Sequence, residues 1–133
     1  MDDRALTLTE LLLMHELLID HFGGMRGVTE QGFGKLEAAL AAPYVSMFGE
    51  DLYPDFPTKM AILFYRIARS HGFSDGNKRV ALVALLEGLD RHGIRIAADQ
   101  GELYEFVMAA ASDASQEIVV AWLVARLEIG DAG

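Results

Sequence analysis

The sequence predicts an all-α fold, a compact bundle of about six helices with a buried central helix and a short flap, in one domain over residues 1–133. Three observations predict it. Apolar residues recur at helical spacing along most of the chain. Thr, Asp or Ser stands ahead of several apolar runs, where an N-cap belongs. Glycine and proline punctuate the runs where helices must end. A chain of 133 residues, 52% hydrophobic and free of cysteine, is long enough to bury a core without disulfides, and it has no thiolate to offer a metal.

Element by element, Thr7 to Glu10 has the form of a capping box, with the Thr hydroxyl on the backbone and the Glu reaching back to the cap. The helix that follows runs to Phe22, apolar at Leu11, Leu12, Met14, Leu18 and Ile19, and Gly23-Gly24 ends it. Gly27-Val28-Thr29-Glu30 opens a second helix through Lys35 to Ala42, stopped before Pro43 and weakened in its first turns by Gly32 and Gly34. Residues 44–56 break the helical period and carry Gly49 and Pro54, as an ordered loop or a short hairpin would. Pro57 suits the first position of a third helix, which carries Met60, Leu63, Phe64, Ile67 and Ala68 to about Ser70.

A fourth helix opens near Gly76 or Asn77. It is almost wholly apolar from Val80 to Leu86, which predicts burial on most sides, and it stops at His92-Gly93. Ile94 to Ile96 reads as a short extended piece. Asp99 to Glu102 repeats the capping logic for a helix through Leu103, Phe106, Val107 and Ala110. Ser115 caps the last helix, with Ile118, Val119, Trp122 and Ala125 on its inner side and Leu127 as the outermost candidate.

Charge narrows the function. Twenty acidic against eleven basic residues give a net charge of −9, the opposite of the basic footprint of a duplex or tRNA binder, so nucleic acid is not an expected partner. Arg66, Arg69, Lys78, Arg79 and Arg91 form a possible positive island near the centre of the chain, suited to a small polyanion. The N-terminus lacks a basic segment followed by an apolar core, and the apolar runs are far too short to span a membrane. The expectation is a cytoplasmic protein.

Chemistry concentrates in His71 to Arg79, HGFSDGNKR, which holds an imidazole, a carboxylate, a glycine, an amide and two cations at the head of a helix. The first-turn N–H groups of a helix lack intrahelical partners, and the helix dipole is positive there. Gly76 allows close approach to the backbone and can take positive φ. Asn77 adds an amide donor, while Lys78 and Arg79 supply a point charge and a planar fork for phosphate oxygens. Asp75 is either a helix cap or a Mg²⁺ ligand, and His71 stands at the rim as a candidate general base. Taken singly, each residue has an ordinary structural explanation; their grouping on one loop is what points to phosphate. Arg69 is either a second phosphate contact or a solvated helix-end cation. His15, His21 and His92 lack metal-ligand spacing and read as structural or surface residues.

HGFSDGNKR resembles the signature of the Fic/Doc family, and Lys78 is the variant of its death-on-curing (Doc) branch, where AMP-transferring Fic enzymes carry glycine. The resemblance extends through HELLIDHFGGMRGVTEQGFGKLEAAL, the segment from Gly49 to His71 and the RHGIRI tail, roughly residues 7–127. It implies His71 as the general base, Phe73 as the buried anchor of the loop, Asp75 as the Mg²⁺ ligand, Gly76 and Asn77 as the phosphate-cradling turn, and Arg79 as the charge stabiliser. It also implies a flap at residues 44–56 that aligns a target segment. The implied activity is that of a toxin: a kinase moving the terminal phosphate of ATP to a hydroxyl of a protein, elongation factor Tu in the family, inhibiting translation and silenced by a cognate antitoxin encoded nearby.

Two departures qualify the resemblance. Gly72 replaces a proline common in Fic enzymes, which predicts a looser rim under His71. Leu82 stands where AMP-transferring relatives place a second arginine, which weighs against AMP transfer. Adenylyl transfer to a protein and a weakly catalytic regulatory binding role are the alternative readings.

Overall fold

In a computed structural model, which describes residues 4–130, the chain forms six helices with four short strands. The helices are α1 (Leu8–Phe22), α2 (Gly32–Ala41), α3 (Phe56–Ala68), α4 (Asn77–Asp90), α5 (Gln100–Ala111) and α6 (Gln116–Val124). A 3₁₀ turn, Ala42–Tyr44, follows α2. The strands are β1 (Ser46–Met47), β2 (Glu50–Asp51), β3 (Ile94–Ile96) and β4 (Leu127–Ile129). They pair antiparallel as β1–β2 and β3–β4. No helix among the described residues is long and apolar enough to cross a membrane.

Both predicted capping boxes form: the Thr7 and Asp99 side chains accept from the backbone N–H groups of Glu10 and Glu102, whose carboxylates reach back to the caps. Asp55 and Ser115 cap α3 and α6 by accepting from the N–H groups of Thr58 and Ile118, without a reciprocal carboxylate. The core lies between α3 and α4. Met60, Ala61, Ile62, Leu63 and Phe64 are five successive buried residues of α3, which therefore has neighbours on every side. Helix α4 buries Val80, Ala81, Ala84, Leu85 and Leu89 against it. Leu86 emerges to solvent and Leu82 is only half buried, so the apolar run of α4 is not enclosed all round. Aromatic packing closes the far side, where Phe106 stacks on Phe64 at 4.8 Å and on Trp122 at 4.1 Å between ring centroids.

Four expectations are corrected. Helix α2 begins at Gly32, not near Thr29, because Val28 and Thr29 are extended and pair with the loop before α4. Helix α3 starts at Phe56, with Asp55 as its cap and Pro57 second. Leu127 is not on the last helix: it begins β4, which supplies the partner that Ile94 to Ile96 needed. Ile118 faces outward, 62% exposed, since α6 presents Val119 and Leu123 to the core instead. Residues 44–56 resolve into the hairpin alternative, turning at Phe48 and Gly49 with φ of 54° and 82°. Two positive φ values in a two-residue turn match the twist of antiparallel strands.

Away from the loop, Arg91 at the end of α4 ties the chain to α1. Its guanidinium donates to Glu10 and Glu87. The Arg91 hydrogen bond, helped by the Thr7 N–H, holds the Glu10 carboxyl below its ordinary value of 4.5, at about 2. A carboxyl with a depressed folded-state pKa stabilises the fold above its unfolded value and ceases to do so as pH falls through the folded one. Glu10→Gln is therefore expected to lower Tm at neutral pH, with the gap from the parent closing between pH 4.5 and about 2. A gap that stays constant over that range in thermal melts contradicts the linkage.

Candidate active site

The segment from Ser70 to Gly76 has almost no regular structure of its own, yet nearly every residue is pinned. Phe73 pairs with Val28 in an isolated antiparallel bridge. The Thr29 N–H donates to the Gly72 carbonyl at 2.9 Å, and the Ser74 N–H to the Gly27 carbonyl at 3.0 Å. The Thr29 hydroxyl donates to the His71 carbonyl at 3.0 Å. The Ser70 hydroxyl accepts from the Gly72 N–H at 3.1 Å. These bonds hold His71 at φ 50°, a left-handed conformation that is uncommon outside glycine. Such strain persists only where the surroundings over-determine it.

Gly72 does not loosen the rim. A Cβ there would lie 2.6 Å from the Leu36 side chain, and a Cβ on Gly32 would lie 2.2 Å from the Gly72 carbonyl oxygen. The absence of both side chains lets α2 and the loop pack backbone to backbone beneath His71. The glycine at position 72 is thus a packing requirement, and the expectation of a looser rim is corrected.

Asn77 closes the loop. Its Oδ1 accepts from the Phe73 N–H at 3.0 Å, and its Nδ2 donates to the Phe73 carbonyl at 2.9 Å. The side-chain amide acts as a two-pronged clamp across four residues. One Nδ2 proton is the only donor that the side-chain amide has left to offer a ligand. Gly76 precedes α4 at φ 78°, ψ 16°, a left-handed position that costs a residue with a Cβ far more. Helix α4, like α2, has no side-chain cap, whereas α1, α3, α5 and α6 do. The N–H groups of its first turn are left for something outside the helix.

Asp75 does not cap α4 either. Its Oδ1 accepts from the N–H of Gly76 at 2.9 Å and its Oδ2 from the N–H of Met25 at 3.2 Å. That second bond ties the carboxylate to the turn after α1. The exposed Arg79 guanidinium lies 4.5 Å above the Phe22 ring at the end of the same helix. Lys78 is exposed. Arg69 does not line the cavity at the loop: it is an exposed cation at the end of α3, as the second of its two readings expects, and donates to the carbonyls of Ala110 and Ala114 at 3.4 and 3.3 Å.

The head of α4 opens on a cavity of about 750 Å³, within the range of small-molecule sites. His71, Asp75, Gly76, Asn77, Lys78 and Arg79 all line it. The structure therefore brings the six candidate residues to one space. The opposite wall is α5, through Gln100, Leu103, Tyr104, Val107 and Met108, with Leu82 of α4 at the floor. One side of the cavity is thus polar and cationic, with Asp75 as its one carboxylate, and the larger part of its surface is apolar. Sequence reasoning missed the α5 wall, treating Leu103 and Val107 as core alone. The available signal was an apolar surface too wide for one core-facing stripe, since Tyr104 and Met108 are exposed beside buried Phe106 and Val107.

No group of three or more His, Cys, Asp or Glu among the described residues is arranged to hold a metal ion. A single carboxylate suits Mg²⁺ held jointly with phosphate oxygens and water, and not a metal bound by the protein alone. Asp75 fits that donor set, since each of its oxygens accepts a single hydrogen bond and keeps lone-pair capacity.

The Asn77 clamp carries a stability prediction. Asn77→Ala leaves the N–H and carbonyl of a buried Phe73 without partners, at about 1–3 kcal/mol for each unsatisfied group. Tm should fall clearly, whereas Lys78→Ala, on an exposed side chain, should leave it nearly unchanged. An Asn77→Ala variant melting with the parent contradicts the clamp.

The chain is similar to the protein named Toxin Doc of Mycolicibacterium smegmatis, 41% identical over 78 residues, which are 59% of this chain and 58% of that protein. It is similar to the protein named Protein kinase doc of Escherichia phage P1, 30% identical over 109 residues, 82% of this chain and 83% of that one. The match thus spans less than two thirds of the first relative and more than four fifths of the second. Residues 5–89, more than half of the chain and including the whole motif loop, match the model of the Fic/DOC family. The protein belongs to the Fic/DOC family.

Proposed function

We propose that the protein is a Doc-type toxin: a transferase that moves the terminal phosphate of ATP to a hydroxyl of a target protein. By family resemblance the target is elongation factor Tu and the consequence is inhibited translation. The observation that carries the reading is the uncapped head of α4, opening beside Lys78, Arg79 and His71 on a cavity with an apolar opposite wall. Similarity to proteins named Toxin Doc and Protein kinase doc supports it.

In this reading the first-turn N–H groups of α4 receive phosphate oxygens, and Lys78 and Arg79 neutralise charge on them. The purine lies against the α5 wall, where Leu103 and Met108 supply apolar surface. His71 takes the proton of the target hydroxyl. The hydroxyl oxygen forms its bond to the terminal phosphorus as the bond from that phosphorus to the bridging oxygen breaks, and ADP leaves. Positioning and charge stabilisation supply most of the catalysis in such a transfer. Asp75 would hold Mg²⁺, which when bound neutralises phosphate charge. Lys78 bears on the choice of phosphate: its ammonium occupies the mouth of the turn, where glycine would leave more room. A cognate antitoxin encoded nearby belongs to the same reading.

The test is incubation with purified elongation factor Tu and ATP labelled separately at the α and γ phosphates. The parent should transfer γ label alone, and His71→Ala should transfer it ~10²–10⁴-fold more slowly. Lys78→Gly should lose γ transfer and gain some α-label transfer. Transfer of α label by the unmutated protein, or an unimpaired His71→Ala, overturns the assignment.

A further inference from the structure

His15 is the one buried polar or charged residue among the described part of the chain, 2% exposed on the inner face of α1. Its neighbours one turn away on that face, Leu11 and Ile19, are plain hydrophobes. A leucine at position 15 would continue the stripe without the cost of burying a polar ring. The imidazole must therefore supply something a leucine cannot.

What it supplies is a donor aimed at the motif loop. Nε2–H donates to the Asp75 carbonyl at 2.7 Å. The same ring lies flat on Phe73, centroids 3.8 Å apart and planes 9° from parallel. It also backs Gly76, where an added Cβ would stand 3.6 Å from Nε2. One side chain on a rigid helix thus holds the loop anchor, the carbonyl of Asp75 and the left-handed turn.

The geometry of the peptide unit gives these contacts a consequence. In a trans peptide the carbonyl and the next N–H point opposite ways. With the Asp75 carbonyl turned inward to His15, the Gly76 N–H must point outward. There it donates to Asp75 Oδ1 at 2.9 Å and, together with the Met25 N–H on Oδ2, fixes the carboxylate facing the cavity. This peptide unit is the soft point of the loop. Glycine at position 76 tolerates either sign of φ, so the unit can flip with little steric resistance. A flip would reverse the N–H, leave the carboxylate with only the bond from the Met25 N–H, and re-aim the turn that leads into α4.

We propose that His15 is a positioning residue for the phosphoryl transfer, locking the Asp75–Gly76 peptide unit in the orientation that presents the Asp75 carboxylate and the head of α4 to the nucleotide. The inference rests on the kinase reading for its catalytic consequence. It does not rest on that reading for the lock itself, which is read independently.

The test compares His15→Leu, which keeps the packing and removes the donor, with His15→Gln, whose side-chain amide can restore it. His15→Leu should lower kcat for γ-phosphate transfer by roughly 10- to 100-fold, the scale of small misplacements in an oriented site. It should also shift the Mg²⁺ midpoint upward, with a melt close to the parent's, and His15→Gln should recover most of the rate. A residue that only fills the core would not move the Mg²⁺ midpoint or be rescued by an amide. A folded His15→Leu with parental kcat and Mg²⁺ midpoint overturns the proposal. Should His15→Leu not fold, the ¹⁵N spectrum of the parent's imidazole decides, since an Nε2 without a proton excludes the lock. If the parent transfers no γ phosphate, the kinase reading fails separately. The lock is then read from the Gly76 amide resonance, which must change in His15→Leu and return toward the parent in His15→Gln; no change overturns it.

Discussion

Everything at the candidate site depends on the two hydrogen bonds between the Asn77 side chain and the Phe73 backbone. They close the loop over four residues, bring Gly76 into the left-handed region and set where α4 begins. A helix whose head is fixed in this way needs no capping side chain, and its first-turn N–H groups stay available. The same amide that looks, in sequence, like a ligand for phosphate is mainly spent on shaping the loop that leads into α4.

Around that clamp the loop is held from two directions. The extended pair Val28 and Thr29 grips its first half by backbone pairing and by the Thr29 hydroxyl. Helix α1 and the turn after it grip the second half, through His15, Phe22 and the N–H of Met25. The burial pattern follows from this. Phe73 enters the core as the plug of the loop, while His71, Asp75, Lys78 and Arg79 remain exposed around it. The cationic head of α4 then sits in a chain of net charge −9, so the anion-attracting field is local.

Much of this was legible in the sequence, for identifiable reasons. Capping boxes at Thr7 and Asp99 are local, so four-residue patterns sufficed to place two helix starts. The motif residues are consecutive, so their meeting in one place was assured by the chain itself. What was not legible depended on distant partners. Thr29 lies ahead of the helix because the chain at Val28 and Thr29 pairs with Phe73 and Gly72 of the distant loop, and no local propensity reports that. Leu127 joined a strand because Ile96 lies across from it, a pairing over thirty residues. The α5 wall and His15 carry no motif, and only the packing of α1 and α5 against the loop gives them a part in the site.

The central claim is that the uncapped head of α4 and the α5 wall form one preformed nucleotide site. The most direct measurement is the backbone amide spectrum of the unmodified protein during titration with ATP and Mg²⁺. The account predicts the largest shifts at residues 74–79 and along the cavity-facing side of α5, with the amides of Val28 and Thr29 nearly unmoved because the loop does not rearrange. Shifts concentrated instead at the separate groove of Lys35, Arg66 and Arg69, with residues 76–79 unchanged, would contradict it.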